Sequence, residues 1–444
     1  MTDRPNVMEP MTVSEGARQI GEIYDRWPWV EATVWTPRML TALETGIKGG
    51  KWFSLIDKVY KMPNLRSAFG RVRANGKAAG VDQQTIEMFE QNEEANLANL
   101  SEELRTGRYR PAAVRRKMIP KLGSREMRPL GIPTIRDRVA QAALRNVMEP
   151  IFERTFATHS YGFRPKRGAK DALRRVDQLL NEGKKWVVDA DLKSYFDTIP
   201  HDKLLARVEE QIADGRVLEL VDAYLHQGVM TETEILLSEA GTPQGAVISP
   251  LLSNIYLNPL DHLMAKKGYE MVRYADDFVI LCGTKDEAEE ALREVAQWTK
   301  TNGLMLHPGK TRIVDAAEEG FDFLGYHFKR GQRWPRKKSL WKLKETIRAA
   351  TGRNNGTSLA RIIERVNGTL RGWFEYFKHS HRWTFKPLDQ WIRMRLRSIL
   401  RRRIGLRGRG RGADHQRWPN AYFNGLGLIN LERAHARLCQ SLTR

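Results

Sequence analysis

The sequence predicts an α+β fold in which an antiparallel sheet lies among helical segments and gives way to a helical, strongly basic C-terminal region. Three observations carry that expectation. Val139, Ala143, Val147 and Ile151 recur at helical spacing. Val272-Arg273-Tyr274 and the apolar run 278–282 flank Ala275-Asp276-Asp277, the sequence form of a tight antiparallel hairpin with acids at its tip. Late in the chain Ile363, Val366, Leu370, Trp373 and Phe377 define one buried helix face. A length of 444 residues is enough for two to four domains at roughly 100–200 residues each.

Taken in order, residues 1–50 are mixed and proline-punctuated and end in Gly49-Gly50, so a loose N-terminal extension is expected. Residues 52–72 read as helical, with Pro63 expected to break the run in two. Residues 84–104 read as helical again, and 114–133 as short strands about a turn. A helix is expected over 137–152 and an apolar strand over 186–192. The segment 241–250 has loop chemistry and leads into a helix through about 265. After the hairpin, a helix is expected over 286–301 and a strand pair within 311–328, then helices over 358–378 and 388–403. The period of the last is ambiguous between helix and strand, and its length favours helix.

The charge is unevenly placed. The chain holds 74 Lys+Arg and 53 Asp+Glu, a formal net of +21. Residues 329–412 hold 25 of these basic residues and 4 of the acids, so this stretch carries the whole imbalance. That pattern fits a polyanion-binding module joined to a neutral body. The two cysteines, Cys282 and Cys439, exclude a disulfide framework and a Cys-rich zinc site. The first residues lack the basic and apolar segments of a signal peptide, and no stretch reaches 18 apolar residues. No membrane partner is therefore expected, and a cytoplasmic location is.

Three carboxylates organise the chemistry. Asp191 ends the apolar strand, and Asp276-Asp277 occupy the hairpin turn. Adjacent acids repel each other, and stability alone gives no reason to set such a pair between buried strands. A divalent cation removes the repulsion, and Mg²⁺ takes one or two carboxylates plus substrate phosphates. The plainer reading is a solvated turn, where Asp is common. Around these acids, Asp191-Leu192-Lys193-Ser194-Tyr195-Phe196 places two aromatics past the strand end. Gly241-Thr242-Pro243-Gln244-Gly245 is expected to open a helix and let its backbone approach a planar or anionic ligand.

With these strings in this order, the chain resembles the reverse transcriptases encoded by bacterial group II introns, the intron maturases. The resemblance runs from about Trp52 to Leu442. It is carried by KAAGVDQQT (77–85), MRPLGIPTIRDRVAQAAL (127–144), HSYGFRP (159–165), VVDADLKSYFDTIPH (187–201) and GTPQGAVISPLLSNIYLN (241–258). It continues through RYADDFVIL (273–281), GLMLHPGKT (303–311), FDFLGY (321–326) and VNGTLRGWFEYF (366–377). It implies a right-hand polymerase: fingers and palm over 51–328, a helical thumb/maturase region over 329–404, and a basic tail over 405–444 that could serve as a reduced DNA-binding region. The Cys- and His-rich endonuclease module of longer members is not expected here, nor is second-strand nicking.

By the same resemblance Asp191 and Asp276 bridge two Mg²⁺ ions, with Asp277 beside them and the Leu192 carbonyl as a further ligand. Phe196 lies under the incoming sugar and selects deoxynucleotides, unless it is an ordinary core aromatic. Gln244 lines the nucleotide pocket, or is a turn residue. Lys121 and Arg128 grip the triphosphate, with Arg125 competing for the second role. Lys310 donates a proton to pyrophosphate, or is a solvated loop lysine. Arg164 contacts template or fixes the fingers loop. The implied partners are group II intron RNA, a DNA target or primer, and deoxynucleoside triphosphates. The rival functions are a splicing-only RNA-binding maturase and a reverse transcriptase of a retron or diversity-generating system.

In the basic region Arg361, Arg365, Arg371 and Lys378 fall largely outside the buried stripe, and Arg401-Arg402-Arg403 close the last helix. These seven are the expected RNA contacts. Among Trp334, Trp341, Trp373, Trp383 and Trp391, most are expected in the core and one or two against RNA.

Overall fold

The computed structural model describes residues 22–442 apart from 48, 77, 121–126, 232–234, 237–239, 354–355 and 411. Its centre is a four-stranded antiparallel sheet of order β6-β7-β3-β8. The strands are β3 (Trp186–Asp191), β6 (Glu270–Tyr274), β7 (Asp277–Cys282) and β8 (Arg312–Asp315). β6 and β7 form the expected hairpin, closed by Ala275 and Asp276 with Tyr274 opposite Asp277. Ala275 takes a left-handed φ of 61°, uncommon for a residue with a Cβ, which the tight turn imposes.

Side chains alternate across a strand, so each face of this sheet meets a different layer. Val188, Ala190, Phe278 and Ile280 enter the main core, shared with the helices Ile135–Glu153, Ser249–Lys266 and Lys285–Thr301. Val187, Val272, Val279 and Val314 face a second core built with the helix Ala169–Asn181 and a separate sheet. That sheet comprises β9 (Phe321–Phe323), β10 (Tyr326–Lys329) and β11 (Gln332–Pro335). The segment expected to be one strand pair is thus divided: β8 joins the palm sheet, while β9 and β10 pair beside it.

Ahead of the palm, β1 (Val114–Pro120) and β2 (Met127–Ile132) form an antiparallel hairpin. β1 also pairs in parallel with β4 (Val229–Met230), which β5 (Ile235–Leu236) completes. Two helices, Ile56–Tyr60 and Met62–Asn75, meet at Lys61, with Pro63 in the first turn of the second, where its missing N–H costs nothing. The expected loose N-terminal extension is corrected from residue 22 onward. Val34, Trp35, Leu40 and Leu43 are buried in the main core, and Trp35 Nε1 donates to Asn146 O at 2.9 Å. Tryptophan and leucine fill this core despite the prolines that made the segment read as irregular.

The third core belongs to the helices Lys337–Ala350, Leu359–Phe377 and Phe385–Arg403. Ser358 caps the second by accepting from Arg361 N. The region after 404 is no detached tail: Phe423, Leu428 and Leu431 are buried in this same core. Asp389 holds the final helix Leu431–Leu442 by accepting from Leu431 N and Glu432 N.

Candidate active site on the palm

β3 and β7 run antiparallel in a register that sets Asp191 directly opposite Asp277. Their carboxylates therefore leave the same face of the sheet, together with Asp189 two positions back. Asp276 rides on the turn beside them. Asp277 carries a pKa pushed up to about 7, first by the protein wall over its carboxyl and then by Asp276, Asp189 and Asp191, although solvent reaches the residue from the cleft. Burial raises Asp276 too, with Asp191 adding like charge and Arg128 and Arg273 partly offsetting it. Asp189 is raised by burial and answered by Arg312 Nε at 3.3 Å.

The loop carrying Lys310 is laid against the strand end. His307 N donates to Asp191 O at 2.7 Å and Lys193 N to Met305 O at 2.8 Å. The Lys310 ammonium thereby reaches Asp191 Oδ2 at 2.5 Å. A cation thus sits on the first carboxylate. Among the described residues no three His, Cys, Asp or Glu side chains converge as a complete metal cage. Asp191 and Asp276 offer hard carboxylate oxygens of the kind that could hold a divalent cation.

The turn is gripped from behind by residues the sequence reading passed over. Arg273 is fully buried and bidentate to Asp261, at 2.7 and 2.5 Å, and its Nη1 donates to Asn254 Oδ1 and to Ala275 O, both at 2.9 Å. Asn254 Nδ2 donates to Gly162 O at 2.8 Å, and a Cβ at Gly162 would fall onto the Ala275 backbone. A charged residue inside the apolar run before the acids was the available signal.

Arg164 is a structural residue: its side chain is buried, pairs with Glu153 at 2.7 Å and donates to Ala157 O and Ser160 O. Tyr195 is buried and donates to Ser253 O at 2.8 Å. Its neighbour Phe196 is half-buried beside it, with ring centroids 5.3 Å apart. The loop 241–248 does not open a helix at Gly245; the helix starts at Ser249. The loop is held instead by Thr242 N donating to Phe196 O at 2.6 Å and Gly131 N donating to Gln244 O at 2.8 Å. Gly245, at φ 108°, lies against Gly131 O where a Cβ has no room. These bonds tie the loop of Gln244 to the backbone of Phe196 and to β2, whose exposed Arg128 is close enough to act on Asp276. Lys121 and Arg125 lie outside the described residues. A cavity of about 680 Å³ runs from Asp277 and Tyr274 past Leu324-Gly325 to Trp373 and Tyr376 of the third-core helix.

Of the basic residues, Arg361, Arg365 and Arg371 are exposed, whereas Lys378 pairs with Glu375 at 2.9 Å. Arg401 is committed within the fold, pairing with Asp414 at 2.6 Å and donating to Arg407 O, and Arg403 donates to Thr357 O. Arg402 is exposed. Trp341 and Trp383 are the exposed tryptophans of the region, at 47% and 71%.

Comparison with known proteins finds two matched regions of the chain. Residues 119–328 match the family model "Reverse transcriptase (RNA-dependent DNA polymerase)" and residues 340–418 match "Group II intron, maturase-specific domain". The Escherichia coli protein YkfC is 34% identical over 355 residues, covering 70% of this chain and 91% of YkfC. The chain belongs to the group II intron reverse transcriptase/maturase family. The Lactococcus lactis group II intron-encoded protein LtrA is 39% identical over 168 residues, which are 38% of this chain and 28% of LtrA. Among solved structures, telomerase from Candida albicans aligns over 72% of this chain and 64% of its own, with a TM-score of 0.41 and 13% identity. By the two family models the chain matches, it is a polymerase palm and fingers with a helical domain, an RNA-directed DNA polymerase with a maturase domain. The family uses divalent metal ions and acts on nucleic acid. Among the described residues no helix is long and apolar enough to cross a membrane.

Proposed function

We propose that this chain copies group II intron RNA into DNA from a DNA primer 3′ end, and holds the same RNA during splicing and mobility, in the cytoplasm. The observation that carries this reading is the placing of Asp191, Asp276 and Asp277 on one edge of the palm sheet, with a side-chain cation resting on Asp191. Asp191 and Asp276 would hold two Mg²⁺ ions, with the Leu192 carbonyl as a further ligand. Bound there, such ions lower the pKa of the primer hydroxyl and stabilise the leaving pyrophosphate.

The remaining work falls to the chain's own groups. Arg128, with Lys121, grips the triphosphate of the incoming deoxynucleotide through charge-assisted hydrogen bonds. Phe196 occupies the space a 2′-hydroxyl would need. Gln244 positions the nucleotide from a loop locked to β2. Lys310, displaced from Asp191 when substrate enters, is placed to hand a proton to pyrophosphate. The cavity beside Asp277 receives the primer end, and the exposed Arg361, Arg365, Arg371 and Arg402 meet RNA phosphates.

The test is Asp276→Asn. Mg²⁺-dependent primer extension on an RNA template should fall by about three orders of magnitude, the scale of a lost metal contact, while RNA retention in a filter assay is kept. Undiminished extension would sink the metal assignment, whereas no extension by the unaltered protein would leave splicing assistance as the function.

A further inference from the structure

Two cavities meet on the helix Phe385–Arg403 along Trp391 and Met394, which are one turn apart on the same face. The smaller, about 160 Å³, is lined by Arg348, Arg353, Arg395 and Arg409, with Thr351 and Ser398 between them. Among the described residues lining it there is no acid; Glu345 pairs with Arg348. Arg395 is fixed by donating to Thr351 Oγ1 at 2.6 Å and Thr351 O at 3.1 Å. Its guanidinium and that of Arg348 stand 5.5 and 5.8 Å from the Trp391 ring centroid, with the Lys344 ammonium also at 5.8 Å. Burial, then Arg348 and Arg353, push the Arg395 pKa down. Folding alone gives no reason to gather four like charges around a concavity, and a bound anion does.

The larger cavity, about 750 Å³, has a different lining. Gln390 and Asn424 place amides in it among the cations Lys386, Arg393, Arg397 and Arg433, and Glu432 is the acid among its described lining residues. Amide side chains read the hydrogen-bonding edges of bases, which a paired duplex hides and an unpaired nucleotide offers. A continuous duplex would present phosphates to a convex basic face, not to two adjoining basic pockets of which only the larger carries amides.

We infer that these paired cavities seat one unpaired nucleotide of a structured RNA, its phosphate among the four arginines and its base in the amide-lined cavity beside Trp391. This rests on the reading of the C-terminal region as an intron-RNA surface and supplies its recognition element. None of these arginines is among the seven expected from sequence. They come from three chain segments that only the fold brings together.

The experiment measures binding of the full chain, by fluorescence anisotropy, to two labelled RNA hairpins that are identical except for one bulged nucleotide. The unaltered protein should prefer the bulged hairpin by about ten-fold, the scale of one base stacked and read. Arg353→Gln/Arg409→Gln, both at exposed positions, should weaken bulged-hairpin binding and lower its salt slope by about one to two, as fewer phosphate counterions are released. Gln390→Ala/Asn424→Ala should bring the ratio of bulged to flush affinity close to one. Equal binding of the two hairpins by the unaltered protein, or an unchanged slope in the arginine variant, would overturn the inference while leaving the maturase reading in place. Displacement of the hairpin by AMP at equal concentration would also overturn it, in favour of a free nucleotide. Binding of neither hairpin would overturn the maturase reading itself.

Discussion

The Lys310 ammonium lies 2.5 Å from Asp191 Oδ2, joining the loop after the helix Lys285–Thr301 to the acid at the end of β3. The ammonium and a divalent ion compete for the same carboxylate oxygen. Lys310→Ala should therefore lower the Mg²⁺ concentration that gives half-maximal primer extension. If Lys310 also protonates pyrophosphate, the same change should reduce the maximal rate by about 10²-fold, the lower end for a lost general acid. A Mg²⁺ titration of extension reads both effects, and a variant unchanged in both would contradict the two roles together.

Asp277 makes stability depend on pH in a definite direction. Its folded-state pKa of about 7 stands above the ordinary 3.8, so the folded chain holds this proton more tightly than the unfolded one. The stabilisation is full below the lower value and is lost as pH rises through the upper one. In EDTA the melting temperature should fall between pH 5 and 8 by more in the unaltered protein than in Asp277→Asn, which has no proton to lose. Mg²⁺ should shrink the difference by screening the same repulsion. Parallel pH profiles for the two proteins would show that the acids do not interact as the sheet register implies.

Arg273 separates holding the fold from holding the turn. Removing one partner of a buried ion pair leaves a bare charge and costs about 3–5 kcal/mol, so Arg273→Met should be strongly destabilised. Replacing both partners, as Arg273→Met/Asp261→Leu, should recover most of the melting temperature. Extension should stay depressed, because Ala275 O has still lost its donor and the acids ride on that turn. Full recovery of rate along with stability would show that Arg273 serves the core alone.

Much of this architecture was legible because the local signals agree with the fold. The hairpin carrying Asp276 and Asp277 has apolar arms and a two-residue turn, and the helix Leu359–Phe377 follows its apolar stripe. Residues 22–50 misled because prolines break periodicity while saying nothing of burial, so Trp35 at the centre of the core left no local trace. Arg273 with Asp261, and Asp191 with Lys310, are pairings across 12 and 119 positions. Their meaning depends on which strands and loops come together, and that is decided by tertiary packing. The arginines expected against RNA are sorted by the same packing: Arg401 becomes a strut to Asp414, while Arg361, Arg365 and Arg371 stay exposed.

Phe196 follows Asp191 by five residues, and its ring is partly buried against Tyr195 and the main core, so part of it stays open to solvent. Thr242 N bonds its carbonyl, which fixes the backbone from which the ring projects. An aromatic held this way can reject an added hydroxyl by contact. Phe196→Ala should leave deoxynucleotide extension within a few-fold of the unaltered rate and should raise ribonucleotide incorporation. The ratio of the two kcat/KM values should fall by roughly ten- to two-hundred-fold, the range a single steric group commands. Because the ring is partly exposed already, the accompanying stability loss should be below the ~3–5 kcal/mol of a fully buried Phe→Ala change. A variant that loses stability but keeps its sugar preference would return Phe196 to the core and leave the discrimination to another residue.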